Sequence, residues 1–129
     1  MKREDIKVLI VDDEVALANT LAQRLQLRDM KVGTAYDGEQ ALSKVKVDKP
    51  DVIVLDLRMP GMHGMEVLQE IKKACPDIQV IVLTGHGTDK DEEEAKRLGG
   101  FDFLKKPADI ETLTHKIKTA FKAKCSKTL

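Results

Sequence analysis

Hydrophobic residues along this chain follow two alternating patterns. Short, mainly apolar runs predict strands at positions 6–11, 31–35, 52–55, 78–83 and 101–104, and the unbroken run at 52–55 is typical of a strand buried on both faces. After these runs, apolar residues tend to recur at the i, i+3, i+4 and i+7 spacing of an amphipathic helix. The first predicted helix runs from Val15 until Asp29 closes it, and the second follows the Asp37-Gly38 turn and carries Ala41, Leu42 and Val45. Further helices are predicted after Gly64 until Pro76 ends the element, over 88–98, and from Asp109 onward. Strand and helix alternating with short connections predict one α/β domain on a parallel sheet with right-handed crossovers.

The predicted strand at 52–55 is the feature around which we interpret the rest of the chain. It is apolar throughout and ends on a single carboxylate, Asp56, before Pro60 and Gly61 stop regular structure. Ligands of open α/β sheets bind outside the carboxyl ends of the strands. We therefore interpret Asp56 as a nucleophile rather than as a packing residue.

Other chemically active residues also follow predicted strands. Asp12 and Asp13 come after the first strand, Thr84 ends the fourth, and Lys106 follows the fifth. In a parallel sheet these ends share one edge with Asp56. Two carboxylates about 4 Å apart repel by roughly 4 kcal/mol at an effective dielectric constant near 20, so such a cluster holds either a proton or a cation. Oxygen ligands without histidine or cysteine favour Mg²⁺, and the whole set suits phosphoryl transfer to an aspartate.

Composition excludes several classes of function. The 22 Lys and Arg residues balance the 22 Asp and Glu residues, so no overall field attracts the chain to nucleic acid or to a membrane surface. Aromatic residues make up 3% of the chain, which argues against stacking platforms for bases. The two cysteines lack metal-ligand spacing and are interpreted as reduced thiols. With no apolar stretch of membrane-spanning length, we predict one cytoplasmic domain over residues 1–129.

Four motifs then carry a family resemblance. They are Val11-Asp12-Asp13-Glu14, Leu55-Asp56-Leu57-Arg58-Met59-Pro60-Gly61-Met62-His63-Gly64, Leu83-Thr84-Gly85 and Phe101-Asp102-Phe103-Leu104-Lys105-Lys106-Pro107. In this order and at this spacing, the chain resembles the receiver domains of two-component response regulators along almost its whole length. The resemblance implies a doubly wound, flavodoxin-like α/β fold: a five-stranded parallel sheet of order 2-1-3-4-5 flanked by five helices. It also implies a cis peptide bond between Lys106 and Pro107.

The resemblance assigns a role to each residue of the acidic cluster, which comprises Asp12, Asp13 and Asp56. Asp56 would accept a phosphoryl group from a histidine kinase. Asp13 would bind Mg²⁺ directly and Asp12 would help through water, while Asp56 and the backbone carbonyl of Arg58 would complete the protein ligands.

Further roles follow from the same resemblance. Lys106 would pair with the phosphoryl oxygens, and Thr84 would donate a hydrogen bond to them. Phe103 would turn inward into the space that Thr84 vacates, so Thr84 and Phe103 form a switch pair. Arg58 and His86 would lie at the mouth of the site, where we expect them to set the lifetime of the phosphoryl group.

Alternatives from other classes remain at this point. A Mg²⁺-dependent phosphatase of the haloacid-dehalogenase type also uses an Asp nucleophile, but it needs a second Asp where this chain has Arg58. A flavodoxin-like nucleotide binder needs a phosphate-binding loop after the first strand, where this chain has three acids that repel phosphate.

The resemblance also leaves the output open. The chain would control a downstream effector domain or protein, without contacting nucleic acid or a membrane itself, or it would be the receiver half of a longer transcriptional regulator. A phosphorylation-dependent homodimer stays open. The predicted helix at 88–98 is unusually polar, and only Ala95 and Leu98 are expected to face the sheet.

Overall fold

The computed structural model describes residues 5–85 and 87–127. Strands and helices alternate strictly in this part of the chain. In chain order the elements are β1 (Lys7–Val11), α1 (Val15–Gln26), β2 (Lys31–Ala35), α2 (Gly38–Val47), β3 (Val52–Leu55), α3 (Gly64–Ala74), β4 (Gln79–Thr84), α4 (Asp89–Arg97), β5 (Asp102–Lys105) and α5 (Ile110–Lys127). Within the described residues, the predicted five strand–helix pairs are therefore confirmed.

All strand pairs of the sheet are parallel, and the strand order is β2-β1-β3-β4-β5. The central strand, β3, lies between β1 and β4, with Val11 opposite Leu55 and Leu55 opposite Val82. Each of its four residues is buried, as the uninterrupted apolar run predicted. The doubly wound order implied by the family resemblance is confirmed.

The sheet separates two apolar layers. The α1/α5 layer contains buried residues of α1 and α5, such as Leu25 and Ile117, packed on one face of the sheet. The α2–α4 layer lies on the other face and joins buried residues of α2, α3 and α4, among them Leu68 and Ala95, to Phe103 of β5. The carboxyl edge of the sheet, where the polar residues gather, runs between these two layers.

Element ends differ from the predicted ones by a few residues. Helix α1 stops at Gln26 rather than at Asp29, and the chain turns until Asp29, whose φ of 66° is left-handed. Ile78 is fully buried but precedes β4, because its amide donates to the carbonyl of Cys75 instead of to β3. Burial sets the hydrophobic pattern, whereas backbone hydrogen bonding sets where an element ends.

Helix α4 is as weakly anchored as its sequence indicated. Of its nine residues, all of them described, Ala95 is the buried one, and Leu98 just beyond it is partly buried against the same layer. Thr88 and Asp91 form a capping box at its start, in which each side chain accepts a hydrogen bond from the backbone N–H of the other residue. Local capping therefore supplies order that core burial does not.

Within the described chain, no helix is both long and apolar enough to cross a membrane.

Candidate functional site

Backbone hydrogen bonds fix the polar residues at the carboxyl edge of the sheet. The amide of Asp12 donates to a carbonyl of β2 (3.0 Å), and that of Asp56 to a carbonyl of β1 (2.9 Å). The amide of Lys106 donates to the carbonyl of Thr84 (2.9 Å). These bonds extend the strand ladders by one step beyond the strands, so the positions of the side chains follow from the sheet. The peptide bond between Lys106 and Pro107 is cis, as the resemblance implied.

The acidic cluster forms as the sequence predicted. Asp12, Asp13 and Asp56 each offer one carboxylate oxygen, and these three oxygens lie within 4.8 Å of one another. Asp12 and Asp56 are 3% and 5% exposed, whereas Asp13 is exposed. Three carboxylate oxygens this close together, one of them from an exposed residue, fit a hard divalent cation that keeps several waters.

Lys106 lies within this cluster. Its Nζ is 2.7 Å from Oδ2 of Asp12, 3.1 Å from Oε1 of Glu14 and 3.5 Å from Oδ2 of Asp56. The side chain of Lys106 is only 14% exposed, so its charge acts on these carboxylates with little screening by water. It therefore partly neutralises the cluster and stands next to the oxygen of Asp56.

The pKa values of Asp12 and Lys106 are both raised. The shift favours the neutral form of the aspartate and the charged form of the lysine. Burial raises the pKa of Asp12, and the neighbouring charge of Asp56 adds to this; the hydrogen bonds from Lys106 and the Glu14 amide oppose it without cancelling it. Burial by itself lowers the pKa of Lys106, but its bonds to Asp12 and Glu14 outweigh that effect and raise it. Lys106 supplies one positive charge beside the carboxylates of Asp12, Asp56 and Glu14, with Asp13 in the same cluster, so their number favours binding of a further cation.

Thr84 and Phe103, for which the resemblance implies a switch role, lie on the neighbouring strands β4 and β5. Thr84 is fully buried at the end of β4, and Phe103 is 9% exposed, with its ring turned into the α2–α4 layer. Both approach the backbone of Gly87, in the loop between β4 and α4. The switch role of Thr84 and Phe103 stays a prediction, and in this structure the ring already lies inward while Thr84 is buried. The sequence did not indicate that Gly87 lies close to both.

The loop after β3 forms another wall of the site. Arg58 is exposed, and its amide lies 3.4 Å from Oδ1 of Asp56, a long contact to the carboxylate. His63 caps α3 by accepting a hydrogen bond at Nδ1 from the Met65 amide (3.1 Å). His86, the other residue expected at the mouth, lies outside the described residues.

Two contributors to the site were not recognised from the sequence. Glu14 reaches Lys106, although the sequence showed it only as a third acid after β1. Gly64 begins α3 so close to the end of β3 that a Cβ there would lie 2.5 Å from the Asp56 carbonyl oxygen. Its position eight residues after Asp56 was the only available signal, since a glycine shows its role only through the atoms that surround it.

Comparisons with known proteins agree on one family. The sequence profile described as the response regulator receiver domain matches residues 8–118. The chain is 37% identical over 118 residues to the C4-dicarboxylate transport transcriptional regulatory protein DctD of Pseudomonas aeruginosa, covering 92% of this chain and 26% of that protein. It is 42% identical over 108 residues to a protein-glutamate methylesterase/protein-glutamine glutaminase of Clostridium acetobutylicum, covering 81% of this chain and 31% of that protein. The chain thus spans about a quarter to a third of these relatives.

A solved structure supports the fold. The CheY-like response regulator receiver domain protein of Methanospirillum hungatei superposes with a TM-score of 0.92 over 96% of this chain and 99% of that one, at 24% identity. Structural likeness at that identity supports the fold alone. Family membership is shown by the match to the family profile, which covers most of the chain. The chain belongs to the response regulator receiver domain family, whose members act in two-component signal transduction.

Proposed function

We propose that Asp56 accepts a phosphoryl group from a histidine kinase in a Mg²⁺-dependent reaction, and that the switch pair passes this change to an effector. The observation that carries the proposal is the buried carboxylate of Asp56, grouped with Asp12 and Asp13 and 3.5 Å from the ammonium of Lys106. Receiver domains of response regulators interact with histidine kinases and effector domains and generally bind Mg²⁺. For this chain, the domain over residues 1–129, its metal and its partners are part of the proposal.

The proposed metal ligands are Asp12, Asp13, Asp56 and the backbone carbonyl of Arg58. A bound divalent cation would neutralise charge on the transferring phosphoryl group. A carboxylate oxygen of Asp56 attacks the phosphorus of a phosphohistidine. The new O–P bond makes an acyl phosphate as the N–P bond breaks, and the imidazole leaves with the electron pair of that bond.

Lys106 and Thr84 are proposed to hold the product. The Nζ of Lys106 is already 3.5 Å from Asp56, so a small movement away from Asp12 and Glu14 brings it to a phosphoryl oxygen. The hydroxyl of Thr84, at the end of the adjacent strand, donates a hydrogen bond to another. Arg58 and His86 would line the mouth, and the decay rate of the phosphorylated protein in Arg58→Ala and His86→Ala variants tests their role.

We propose two alternatives for what the phosphorylated domain controls. In the first, the chain controls a separate effector through the surface around Phe103. In the second, it is the receiver part of a longer transcriptional regulator, which is supported by the 26% of DctD that it covers. A homodimer that forms on phosphorylation is compatible with either, and light scattering before and after phosphorylation distinguishes dimer from monomer.

The deciding experiment is intact-mass measurement after incubation with a small acyl-phosphate donor, with and without Mg²⁺. We expect the parent protein to gain the mass of one phosphoryl group in Mg²⁺ and not in chelator. Asp56→Asn should abolish the gain, whereas Asp89→Asn, a matched change at an exposed carboxylate of α4, should not. Phosphorylation of Asp56→Asn at the parental rate would contradict the assignment.

The same experiment addresses the phosphatase alternative. A stable mass gain that decays slowly after donor removal supports a receiver, because a phosphatase turns its aspartyl phosphate over rapidly. Arg58 is exposed at the position where such an enzyme needs a second Asp. Continuous phosphate release from the donor, without accumulation of phosphorylated protein, would favour the phosphatase instead.

A further inference from the structure

Gly87 lies close to both members of the proposed switch pair, Thr84 and Phe103. A Cβ built on Gly87 would lie 2.4 Å from Cζ and 3.0 Å from Cε1 of Phe103, and 2.9 Å from Cγ2 of Thr84. Carbon atoms that are not bonded normally stay about 3.5–4.0 Å apart. The ring of Phe103 therefore fills the space that any side chain at position 87 would need.

Space, and not backbone conformation, requires glycine here. The φ angle of Gly87 lies outside the left-handed region, unlike those of Gly61 and Gly99, so its backbone is open to other residues. Gly85, in the same loop, is not restricted in this way: a Cβ there would lie 3.8 Å from the nearest atom, Cβ of Lys106. The crowding is specific to position 87.

Phe103 is the group that would have to move. The clashing atoms of its ring are the far end of a side chain on β5, at the edge of the sheet, and rotation can carry them outward. Thr84 is fully buried on β4, between β3 and β5, and has no comparable exit. A methyl group at position 87 would thus act on the ring before it acts on the threonine.

We propose that Gly87 is a positioning residue of the switch: by lacking a side chain, it leaves the slot in which Phe103 lies against Thr84. The size of the residue at position 87 then sets the balance between the inward and outward ring. Because Gly87 immediately precedes Thr88, the N-cap of α4, the ring position also acts on the start of that helix. The signalling consequence rests on the proposed function, while the steric consequence does not.

The test is the ring position in the unphosphorylated full chain, measured by nuclear Overhauser effects in NMR. In the parent protein, the ring protons of Phe103 should show contacts to the Gly87 α protons and to the Thr84 methyl group. In Gly87→Ala, the contact between the ring and the Thr84 methyl group should be lost. Gly85→Ala is the matched control and should retain it.

Phosphorylation is then measured on the same proteins by intact mass. Gly87→Ala should still gain one phosphoryl group at Asp56, but its ring should remain outward in the phosphorylated form. A ring that keeps its contact with Thr84 in Gly87→Ala overturns this proposal and leaves the proposed function intact. Absence of any mass gain in the parent overturns the proposed function, while the ring measurement still decides the steric claim.

A double variant covers the case in which Gly87→Ala does not fold. Phe103→Ala removes the ring but leaves the Thr84 methyl group 2.9 Å from the added Cβ, so adding Gly87→Ala to it should lower the melting temperature less than it does in the parent protein. A loss in the single variant that is clearly smaller in the Phe103→Ala background identifies the ring as the main obstacle. An equal loss in both backgrounds would mean that position 87 acts on something other than the ring, contrary to the proposal.

Discussion

The ammonium group of Lys106 lies 2.7 Å from Oδ2 of Asp12 and joins two segments that are 94 residues apart in the chain. Both partners are largely buried, with side chains 14% and 4% exposed. The ion pair links the end of β1 to the loop after β5, and it holds a cation beside the proposed phosphoacceptor. The resting site is therefore organised around Lys106 as well as around its acids.

Replacing Lys106 by Met should destabilise the metal-free protein, because Asp12 and Asp56 would lose the cation that they share. Removing one partner of a buried pair costs about 3 kcal/mol or more in free energy of unfolding. Chemical denaturation in chelator measures this loss, and saturating Mg²⁺ should restore more stability to the variant than to the parent. Lys105→Met, at the exposed neighbouring position, is the control. Equal stability of the two variants in chelator would refute the prediction.

Replacing Asp13 by Ala should weaken Mg²⁺ binding and, in chelator, raise stability slightly. The variant loses a proposed ligand, and the cluster also loses one of three mutually repelling charges. Melting temperatures with and without Mg²⁺ measure both effects. Glu70→Ala, at an exposed position of α3, should keep the parental metal response. A parental Mg²⁺ shift in Asp13→Ala would show that Asp13 is not a ligand.

Replacing Gly64 by Ala should destabilise the fold by about 1–3 kcal/mol, the usual cost of overpacking. The added Cβ would lie 2.5 Å from both the Asp56 carbonyl oxygen and the Leu57 Cα, and backbone atoms cannot rotate away. Gly33→Ala on the edge strand β2 is the comparison, since its Cβ would lie 3.8 Å from its nearest neighbour. Urea denaturation should separate the two variants clearly, and similar midpoints would contradict the argument.

Helix α4 should open more readily than α1 in the unphosphorylated protein. Its core contact is the methyl group of Ala95, and burial of one such group contributes only about 0.8 kcal/mol. The salt bridge between Glu92 and Lys96 adds about 0.2–0.5 kcal/mol and is screened by salt. Amides of residues 95–98 should exchange hydrogen much faster than those of α1 and should slow on phosphorylation. Equal protection of the two helices would mean that α4 is better anchored than its contacts indicate.

The capping box of α4 should make its stability depend on pH. The backbone N–H of Thr88 donates to Asp91 and lowers the pKa of that carboxyl, and the positive charge of Arg58 acts in the same sense. A pKa that is lower in the folded than in the unfolded state stabilises the fold above the unfolded value, about 3.9, and this contribution is lost as pH falls through the folded value. The melting temperature of Asp91→Asn should therefore be below that of the parent at neutral pH and approach it on acidification.

The comparison for this last prediction is Asp89→Asn, in the same first turn of α4 but not the capping-box position. It should lower the melting temperature less than Asp91→Asn at neutral pH. If the gap between Asp91→Asn and the parent were constant from neutral to strongly acidic pH, ionisation of Asp91 would not be the source of the stabilisation.

Hydrophobic pattern was sufficient to predict the elements of the fold, because a parallel sheet buried on both faces leaves an apolar run for each inner strand. The run before Asp56 and the polar residues that follow β1 and end β4 predicted that these side chains gather at the carboxyl edge of the sheet, and the structure brings Asp12, Asp13 and Asp56 together there. The same pattern misplaced the end of α1 and the start of β4, where Ile78 is buried without pairing to β3.

The hydrophobic pattern could not predict contacts that depend on the length of a side chain or on the lack of one in glycine. The reach of Glu14 to Lys106 needs the actual path of two flexible chains. The roles of Gly64 and Gly87 depend on how close an added Cβ would come to other residues: 2.5 Å from the Asp56 carbonyl oxygen at position 64, and 2.4 Å from the Phe103 ring at position 87. No spacing rule reports such distances, so these residues emerge only from the packed structure.

Sequence changes in the two layers of the core should have different consequences. Phe103 and Ala95 belong to the α2–α4 layer, whereas the α1/α5 layer contains neither of them. We therefore expect substitutions among the apolar residues of α1 and α5 to act chiefly on stability. Under the proposed function, a change of volume beside Phe103 alters both stability and the threshold for signalling. The proposal therefore predicts that selection on output strength acts on the α2–α4 side of the sheet, while the residues on the opposite side need only keep the protein folded.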